Sequence, residues 1–418
     1  MPTVRCVAFF ATPALLSLSS VAAPPAPEPG FWLVGFPPGS TSSGVTSLTS
    51  NGGTAAGGGK ASFTWTKMGG RNDFGLYPGA AEINFATGLS DNGVAVGNMW
   101  FDSTAEKSRA YRWAGSGPLQ DLGVLPGETR MFASGVSGDG NVVVGYGEHG
   151  QSTALDGQAF RWTPSGGLQG LGYLYPFSIN SHANGISRDG STIVGSNLDF
   201  NLTTHAFVWK ESTGMTALPG LPNPFAADTK AFAVSTDGSV VVGSADHSSQ
   251  FTHAVRWVNG EIEDLAEAFG ANSQALAVSS DGSVIGGSFT AAPTSLGFLW
   301  TEATGMRVAD EYLALFGVTV PADYRIERIH AISGDGLTFA GEARNLTTGF
   351  REGFVATVRA TGGPCKADCD DSGQLNIDDF ICFQTFFALG EPKADCDQSG
   401  RLNIDDFVCF QTLFAIGC

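Results

Sequence analysis

The chain has 418 residues, of which 42% are hydrophobic and 15% charged, and it carries a net charge of −18. This excess of carboxylates repels the phosphates of nucleic acids and the anionic surface of a membrane, so neither is expected as a partner. The 57 glycines and 30 phenylalanines, against only 6 methionines, are typical of short strands joined by tight turns. The composition therefore favours an all-β protein.

Residues 1–23 predict a signal peptide. Arg5 lies in a short basic start, an apolar stretch from Cys6 to Leu18 follows, and small side chains at 21–23 suit a signal peptidase. The alternative, a buried N-terminal strand or helix, is disfavoured by Pro13 and by the proline-rich segment APPAPEPG that follows. We expect a secreted or cell-surface protein whose mature chain begins near residues 23–25.

One motif recurs seven times between residues 30 and 360. Small or apolar residues precede S-x-D-G, and a β-branched run ending in glycine follows, as in GVSGDGNVVVG, which ends at Gly145. An Asp-Gly or Asn-Gly pair between apolar strands predicts a tight hairpin, because glycine accepts the positive φ of such a turn. The anchoring glycines are 41 to 54 residues apart, which is the period of a propeller blade. They are Gly52, Gly93, Gly140, Gly190, Gly238, Gly282 and Gly336.

A second strand with an aromatic signature follows each motif. The signatures FTW, YRW, FRW, FVW, VRW, FLW and FVA begin at Phe63, Tyr111, Phe160, Phe207, Val255, Phe298 and Phe354. Each unit then predicts a four-stranded meander, which is too thin to bury its own tryptophan, so neighbouring units must stack into a ring. The predicted fold of residues 30–360 is a seven-bladed β-propeller of four-stranded blades.

The seventh unit lacks a final strand after Val358. Near the mature N-terminus, FWLVG resembles closing strands such as LQGLG in its apolar spacing and final glycine. We therefore predict that Phe31 to Phe36 completes the seventh blade and closes the ring.

The repeated units resemble bacterial extracellular HAF repeats. The resemblance lies in HAF at His205 and in the degenerate HAV at His253. It implies secretion and leaves the activity of the propeller open.

A near-perfect duplication fills residues 365–418. DCDDSGQLNIDDFICFQTFFALG begins at Asp368, and DCDQSGRLNIDDFVCFQTLFAIG begins 27 residues later at Asp395. As 12-residue loops, both place oxygen side chains at positions 1, 3 and 5, glycine at 6, a carbonyl at 7, Asn at 9 and Asp at 12, which suits two calcium ions. The predicted ligands are Asp368, Asp370, Ser372, Gln374, Asn376 and Asp379, and Asp395, Asp397, Ser399, Arg401, Asn403 and Asp406. The alternative, a solvated acidic turn, explains neither the glycines nor the duplication.

The duplicated tail resembles dockerin modules, because Asp replaces the usual EF-hand Glu at position 12 and one helix is expected after each loop. With Gly417 and Cys418 at its end, it is similar to the Gly-Cys-ended dockerin-like domains of exported planctomycete proteins. The resemblance implies a small α F-hand pair that anchors or sorts the protein through a cell-surface or cohesin-like receptor. Ser at position 5, Ile at position 10 and the extra cysteines depart from cellulosomal dockerins, so ordinary cohesin binding is not expected.

The tail also predicts two helices and up to three disulfides. Phenylalanines recur at i, i+3 and i+7 and predict one apolar stripe per helix, formed by Phe380, Phe383 and Phe387 and by Phe407, Phe410 and Phe414. The six cysteines from Cys365 to Cys418 allow fifteen pairings. We expect Cys365 to bridge Cys418 and the other four cysteines to pair symmetrically.

Residues 30–360 contain no persuasive catalytic constellation. The aspartate of S-x-D-G recurs in unit after unit, as a turn residue does, and the six histidines lack metal-ligand spacing, so we expect both to make local hydrogen bonds. The first functional hypothesis is a non-enzymatic binding or structural propeller, with a glycan or protein ligand, displayed by its calcium-binding tail. The second is a dockerin-bearing carbohydrate-active enzyme, a polysaccharide hydrolase or lyase. It requires paired acids in loops of one face, and Asp102, Glu106, Glu148 and Asp156 share no geometry readable from the sequence.

Overall fold

A computed structural model describes most of the chain. The described residues are 29–74, 84–101, 107–149, 157–222, 228–247, 251–267, 271–291, 294–358, 369, 377–396 and 401–416. The predicted signal peptide lies outside them. Within these ranges, the helices are all too short or too polar to cross a membrane.

The strands succeed one another along the chain in antiparallel groups of four. Strand β1 is Gly30–Leu33. Group 1 contains β2 to β5: Gly44–Leu48, Ala55–Gly58, Phe63–Thr66 and Gly70–Asp73. Group 2 contains β6 to β9: Asn84–Leu89, Ala95–Trp100, Ser108–Trp113 and Gln120–Asp121. Group 3 contains β10 to β13: Arg130–Val136, Val143–Glu148, Ala159–Thr163 and Gly167–Gly172.

The remaining groups repeat this order. Group 4 contains β14 to β17: Asn180–Ile186, Thr192–Leu198, Thr204–Lys210 and Gly214–Ala217. Group 5 contains β18 to β21: Thr229–Val234, Val240–Asp246, Thr252–Val258 and Glu261–Asp264. Group 6 contains β22 to β25: Ser273–Val278, Val284–Ala291, Thr294–Thr301 and Gly305–Val308. Group 7 contains β26 to β28, Tyr324–Ile332, Thr338–Asn345 and Arg351–Thr357, together with β1.

The groups are arranged around a central axis. Groups 3 to 7 are separate four-stranded sheets, and groups 1 and 2 are joined into one larger sheet only by the pair Gly58 and Phe85. The first strands contact one another in the order β2, β6, β10, β14, β18, β22 and β26, and β26 contacts β2 again. The ring of strands is therefore closed.

The N-terminal strand completes group 7, as predicted. Strand β1 pairs antiparallel with β28, from Gly30 opposite Thr357 to Leu33 opposite Phe354. The Phe31 ring stacks on Phe354 with centroids 5.2 Å apart, and the buried Val34 donates its N–H to Gly353 at 2.9 Å. The strand ends at Leu33, earlier than the predicted Phe36.

The seven repeated turns have the predicted conformation. The anchoring glycines all have positive φ, between 66° and 84°. Residues with a Cβ rarely adopt this region, which explains why glycine stands in every copy.

The glycine that ends each motif is required by close packing. A Cβ at Gly145 would lie 1.9 Å from the carbonyl oxygen of Phe132, and one at Gly243 would lie 1.9 Å from that of Lys230. The first strand of each group has a register shift at this level, for example between Ala133 and Gly135, which brings its backbone against the second strand. Equivalent approaches of 1.8 to 2.0 Å occur at Gly57, Gly97, Gly195, Gly287 and Gly341.

The aromatic signatures form the core between groups, as predicted. The residue that begins each signature is fully buried in all seven groups: Phe63, Tyr111, Phe160, Phe207, Val255, Phe298 and Phe354. The tryptophan two residues later is buried at Trp65, Trp113, Trp162, Trp257 and Trp300. Trp209 is half-buried in the equivalent place.

The helices lie after the sixth group and in the tail. Helix α1, Ala309–Leu315, was not expected from the sequence; it follows β25 and buries Tyr312 and Leu313 against group 7. Helix α2 is Ile377–Leu389, a 3-10 turn is Pro392–Ala394, and helix α3 is Ile404–Ile416. One helix therefore follows each acidic loop, as the sequence predicted.

Candidate functional site

Five of the twelve predicted calcium ligands lie in the described residues. They are Asp379, Asp395, Arg401, Asn403 and Asp406. The other seven, Asp368, Asp370, Ser372, Gln374, Asn376, Asp397 and Ser399, lie outside them.

The two carboxylates at loop position 12 are fully buried. Asp379 and Asp406 each have no exposed surface, and each is the third residue of its helix. The Asp406 carboxylate accepts a hydrogen bond from the N–H of Asn403 at 2.8 Å, as in half of a helix capping box. Burying a carboxylate is costly unless it is hydrogen-bonded, paired with a cation or bound to a metal ion.

One disulfide joins each loop to the helix that follows it. Cys369 is bonded to Cys382, and Cys396 to Cys409, with the same separation of 13 residues. The symmetric pairing predicted for these four cysteines is confirmed. The predicted bridge between Cys365 and Cys418 lies outside the described residues.

The phenylalanine stripes form the interface between α2 and α3. The rings of Phe383 and Phe410 stack with centroids 4.1 Å apart, and Phe380 meets Phe407 and Phe414 edge-on at 5.9 Å. Phe383 and Phe410 occupy equivalent places in the duplication, so their stacking indicates a pseudo-twofold relation between the two helices. The predicted core role of the stripes is confirmed.

The same two helices also expose apolar side chains in equivalent pairs. Ile377 and Ile404, at the start of each helix, are 69% and 70% exposed. Ile381 and Val408, one turn later, are also exposed.

The repeated S-x-D-G aspartates are turn residues, as predicted. In group 5, Ser235 Oγ donates to Asp237 Oδ1 at 2.8 Å, Ser239 N donates to the same oxygen at 3.0 Å, and Val240 N donates to Ser235 Oγ at 3.0 Å. The same three bonds recur around Asp139, Asp189, Asp281 and Asp335. The carboxylates close their own hairpins.

These bonds make stability depend on pH. The N–H of Ser239 and the hydroxyls of Ser239 and Ser235 lower the pKa of Asp237 to about 2, and the Ser137 hydroxyl lowers that of Asp139. At Asp189 and Asp281, burial opposes the shift, but hydrogen bonds from their own turns still lower both pKa values.

Acid is therefore expected to destabilise the protein between about pH 4 and pH 2. In the unfolded chain an aspartate titrates near pH 3.9, so these turns contribute their full stability above that pH and lose it as the pH falls through the lower folded values. Replacing all four aspartates, Asp139, Asp189, Asp237 and Asp281, by Asn should flatten the melting temperature across this window. Asn51 already accepts the equivalent bond from Gly53 N at 2.9 Å, so the variant should fold. An equally steep acid transition in the variant would contradict this assignment.

The variable residue of S-x-D-G links neighbouring turns around the axis. Thr236 N donates to Ser280 O at 3.0 Å, Ser280 N to Gly334 O at 3.0 Å and Gly334 N to Ser50 O at 2.7 Å. On the other side, Asp91 N donates to Gly138 O, Gly138 N to Arg188 O, and Ser50 N to the Asp91 carboxylate.

Arg188 reaches from group 4 to groups 1 and 2. Its guanidinium donates to the carbonyls of Leu89, at 3.0 Å, and Leu48, and pairs with Asp91 at 3.3 Å. Arg188 and Thr236 also line a cavity of about 140 Å³ between the first strands. The guanidinium therefore closes one end of this central cavity.

Replacing Arg188 by Ala is expected to lower the free energy of unfolding by about 2 to 4 kcal/mol, because it removes the ion pair and leaves two inward carbonyls without their donor. Thermal unfolding measures this loss. Arg307→Ala, at an exposed site in β25, is the matched control and should melt like the parent. Equal melting of the two variants would show that the bridge does not stabilise the ring.

Among the concave regions in the described part of the ring, two combine a large volume with a lining that suits a ligand. A polar cavity of about 480 Å³ is lined by Asp246, Thr252, Asn272, Gln274 and Arg328, among others, from groups 5 to 7. An aromatic pocket of about 540 Å³ in group 4 is lined by Tyr175, Pro176, Phe177, Asp199, Phe200, Asn201 and His205. Phe177 and Phe200 are largely exposed in it.

Four histidines have local partners, and one of them, His205, makes a hydrogen bond of the kind that the sequence predicted. His205 Nε2 lies 3.1 Å from Asp199, His149 lies 3.3 Å from Glu128, and His330 lies 3.8 Å from Glu342. The fourth, His182, stacks on the Tyr146 ring at 3.9 Å, and burial lowers its pKa to about 4.

His247 and His253 share one carboxylate partner, Asp264. Their Nδ1 atoms lie 3.2 Å and 2.8 Å from the same Asp264 oxygen. Sequence reasoning missed this cluster because Asp264 belongs to the next strand, β21, and only the strand register brings it beside His253.

Of the four carboxylates considered for an enzyme, only Glu148 lies in the described residues. Glu148 is bound to Arg130 by a short ion pair. The others, Asp102, Glu106 and Asp156, lie outside the described residues.

No family model matches this chain. No curated protein matches it either. Among solved structures, it is similar to the propeller domain of the Trilobed protease from Pyrococcus furiosus, with a TM-score of 0.51, 8% identity, and coverage of 76% of this chain and 94% of that one. The chain has a β-propeller fold. At this identity the likeness shows the fold of the propeller alone.

Two further propellers are more distant. The propeller domain of Cps50 (Swd1) from Myceliophteria thermophila has a TM-score of 0.46 and 10% identity over 76% of this chain and 97% of that one. TolB from Acinetobacter baumannii has a TM-score of 0.38 and 12% identity. The match covers 61% of this chain and 61% of TolB.

Proposed function

We propose that the protein is a secreted, non-enzymatic binding or structural seven-bladed β-propeller, held or sorted at the cell surface by a calcium-binding dockerin-like tail. One observation carries the proposal: Asp379 and Asp406, at the same position of two duplicated acidic loops, are both fully buried. The predicted HAF-type repeats and the predicted signal peptide agree with display outside the cell.

Calcium suits the donor set of both loops. Ca²⁺ takes six to eight oxygen ligands at about 2.3 to 2.6 Å, and position 12 closes the sphere from the start of the helix. Asp379 and Asp406 stand at these helix starts, as position 12 requires, and both are buried inside the domain. A disulfide beside each loop would hold position 2 against the helix and limit the entropy lost on binding.

Seven blades are supported by three independent features. The motif recurs seven times, the described strands fall into seven groups of four when β1 is included, and the first strands contact one another in a cycle. The bridge between Gly58 and Phe85 joins two of these groups without changing their number.

Binding is favoured over catalysis because the turn aspartates and Glu148 already have hydrogen-bond or ion-pair partners. The turn aspartates accept bonds from their own hairpins, and Glu148 is paired with Arg130. The polar cavity and the aromatic pocket instead offer hydrogen-bonding groups and ring faces, which suit a glycan or a polar protein segment.

Attachment through a receptor is supported by the exposed faces of α2 and α3. Ile377, Ile381, Ile404 and Val408 form an exposed apolar surface in two equivalent halves. Exposed apolar groups arranged in this way are typical of protein interaction sites.

A glycan array combined with a reducing-sugar assay on the full chain tests the ligand class. We expect binding without turnover. An Asn272→Ala, Gln274→Ala variant should lose binding if the polar cavity holds the ligand, whereas Phe177→Ala, Phe200→Ala should lose it if the aromatic pocket does. Turnover of any polysaccharide would overturn the non-enzymatic assignment.

A further inference from the structure

We propose that His247, His253 and Asp264 form a binding site for a divalent first-row transition ion, with Zn²⁺ as the representative. The site lies on the propeller, in group 5, and is independent of the calcium assigned to the tail. Two imidazoles and one carboxylate favour Zn²⁺, Co²⁺, Ni²⁺ or Fe²⁺, whereas Ca²⁺ and Mg²⁺ prefer oxygen ligands alone.

The spacing of the three side chains matches a coordination sphere. Their ligand atoms lie within 4.8 Å of one another, and the two histidine Nδ1 atoms lie 2.8 Å and 3.2 Å from Asp264 Oδ2. With metal bonds of about 2.1 Å, neighbouring ligand atoms are separated by about 3.0 Å in an octahedral site and about 3.4 Å in a tetrahedral one. The three ligand atoms therefore already lie at separations close to those of a coordination sphere.

Asp264 and His253 are held in place by the sheet. Asp264 Oδ1 accepts the N–H of Ala266 at 2.8 Å, which turns Oδ2 towards the histidines. His253 lies within β20 and is almost fully buried. A carboxylate fixed by a backbone donor is a common support of metal sites.

The ring of His247 must move when an ion binds. The rings of His247 and His253 are stacked with centroids 4.1 Å apart and planes inclined by 11°. A metal ion lies close to the plane of each imidazole that binds it, so two nearly parallel rings cannot both reach the same ion. The side chain of His247 is 46% exposed at the end of β19, and it is the ring that can rotate.

The equivalent position in group 4 shows which partner a histidine of this strand has in the absence of such a cluster. In group 4, His205 stands at the position equivalent to His253, and Asp199 stands at the position equivalent to His247. The Asp199 carboxylate lies 3.1 Å from His205 Nε2 and makes a hydrogen bond with it. The place of Asp264 is taken by Ala217. A single carboxylate is thus enough to hydrogen-bond the histidine of this strand. Group 5 instead has a second histidine, His247, at the position of that carboxylate and carries its acid, Asp264, on the next strand.

Cobalt titration of the full, tag-free chain tests the site. With calcium in excess to saturate the tail, Co²⁺ should give one equivalent of ligand-field absorption, and Zn²⁺ should abolish it by displacement. His247→Ala and Asp264→Asn should each weaken binding roughly 10-fold or more, whereas His205→Ala, the matched control in group 4, should leave it unchanged. His247 is exposed, so His247→Ala should retain the parent melting temperature.

Substitutions in the tail distinguish cobalt binding at the propeller site from calcium binding in the tail. Asp379→Asn and Asp406→Asn should change calcium binding and leave the cobalt spectrum unaltered. Absence of a saturable cobalt signal, or a signal that persists in His247→Ala, would overturn the proposed site whether or not the tail binds calcium.

Discussion

Replacement of Phe31, Leu33 and Val34 by serine is expected to lower the melting temperature of the propeller by roughly 10 °C. The three side chains pack on the core of groups 7 and 1, and their removal forfeits about 4 to 6 kcal/mol of apolar burial. It also weakens β1, whose pairing with β28 completes group 7.

The matched control places serine at Met68, Phe177 and Phe200, which are exposed apolar residues. This variant removes the same number of large side chains and should melt within a few degrees of the parent. Differential scanning calorimetry distinguishes the two. If the β1 variant also melts like the parent, the N-terminal strand does not close the ring.

Calcium is expected to increase the protection of α2 and α3 from hydrogen exchange by about 100- to 1,000-fold when it is present at a similar multiple of its dissociation constant. Besides the two disulfides, these helices share one small phenylalanine cluster that buries few side chains fully, so a bound ion should add much to their stability. Mass spectrometry of peptides covering 377–389 and 404–416, with calcium or with a chelator, measures the change without interference from the propeller.

Substitutions at position 12 make this prediction specific to each loop. Asp379→Asn should remove the calcium effect mainly in 377–389, and Asp406→Asn mainly in 404–416, with partial loss in the partner through the Phe383–Phe410 stack. Asp378→Asn, at the exposed neighbouring position, is the control and should behave like the parent. Equal protection with calcium and with chelator would exclude a stabilising ion.

Features that repeat along the chain could be predicted from it. The positive φ of the turn glycines, the burial of the aromatic signatures and the symmetric pairing of the four inner cysteines follow from local chemistry or from the duplication. The closing strand was also predictable, because FWLVG has the pattern of a fourth strand and the last unit lacks one.

Features that occur once could not be predicted in this way. Arg188 stands at the variable position of S-x-D-G, and only the closed ring brings its guanidinium to the carbonyls of groups 1 and 2. His247 and His253 are separated by five residues, which falls within the spacing of zinc-binding histidine pairs. Asp264, however, reaches them only through the register of β20 and β21. Helix α1 is a single short segment between strands whose apolar residues fit either a helix or a strand.

The most direct test of the proposed function is calorimetric titration of the oxidised full chain with calcium. The proposal predicts two ions per chain for the parent and one for either Asp379→Asn or Asp406→Asn. Absence of calcium binding in the oxidised parent, or a stoichiometry that both substitutions leave unchanged, would contradict it.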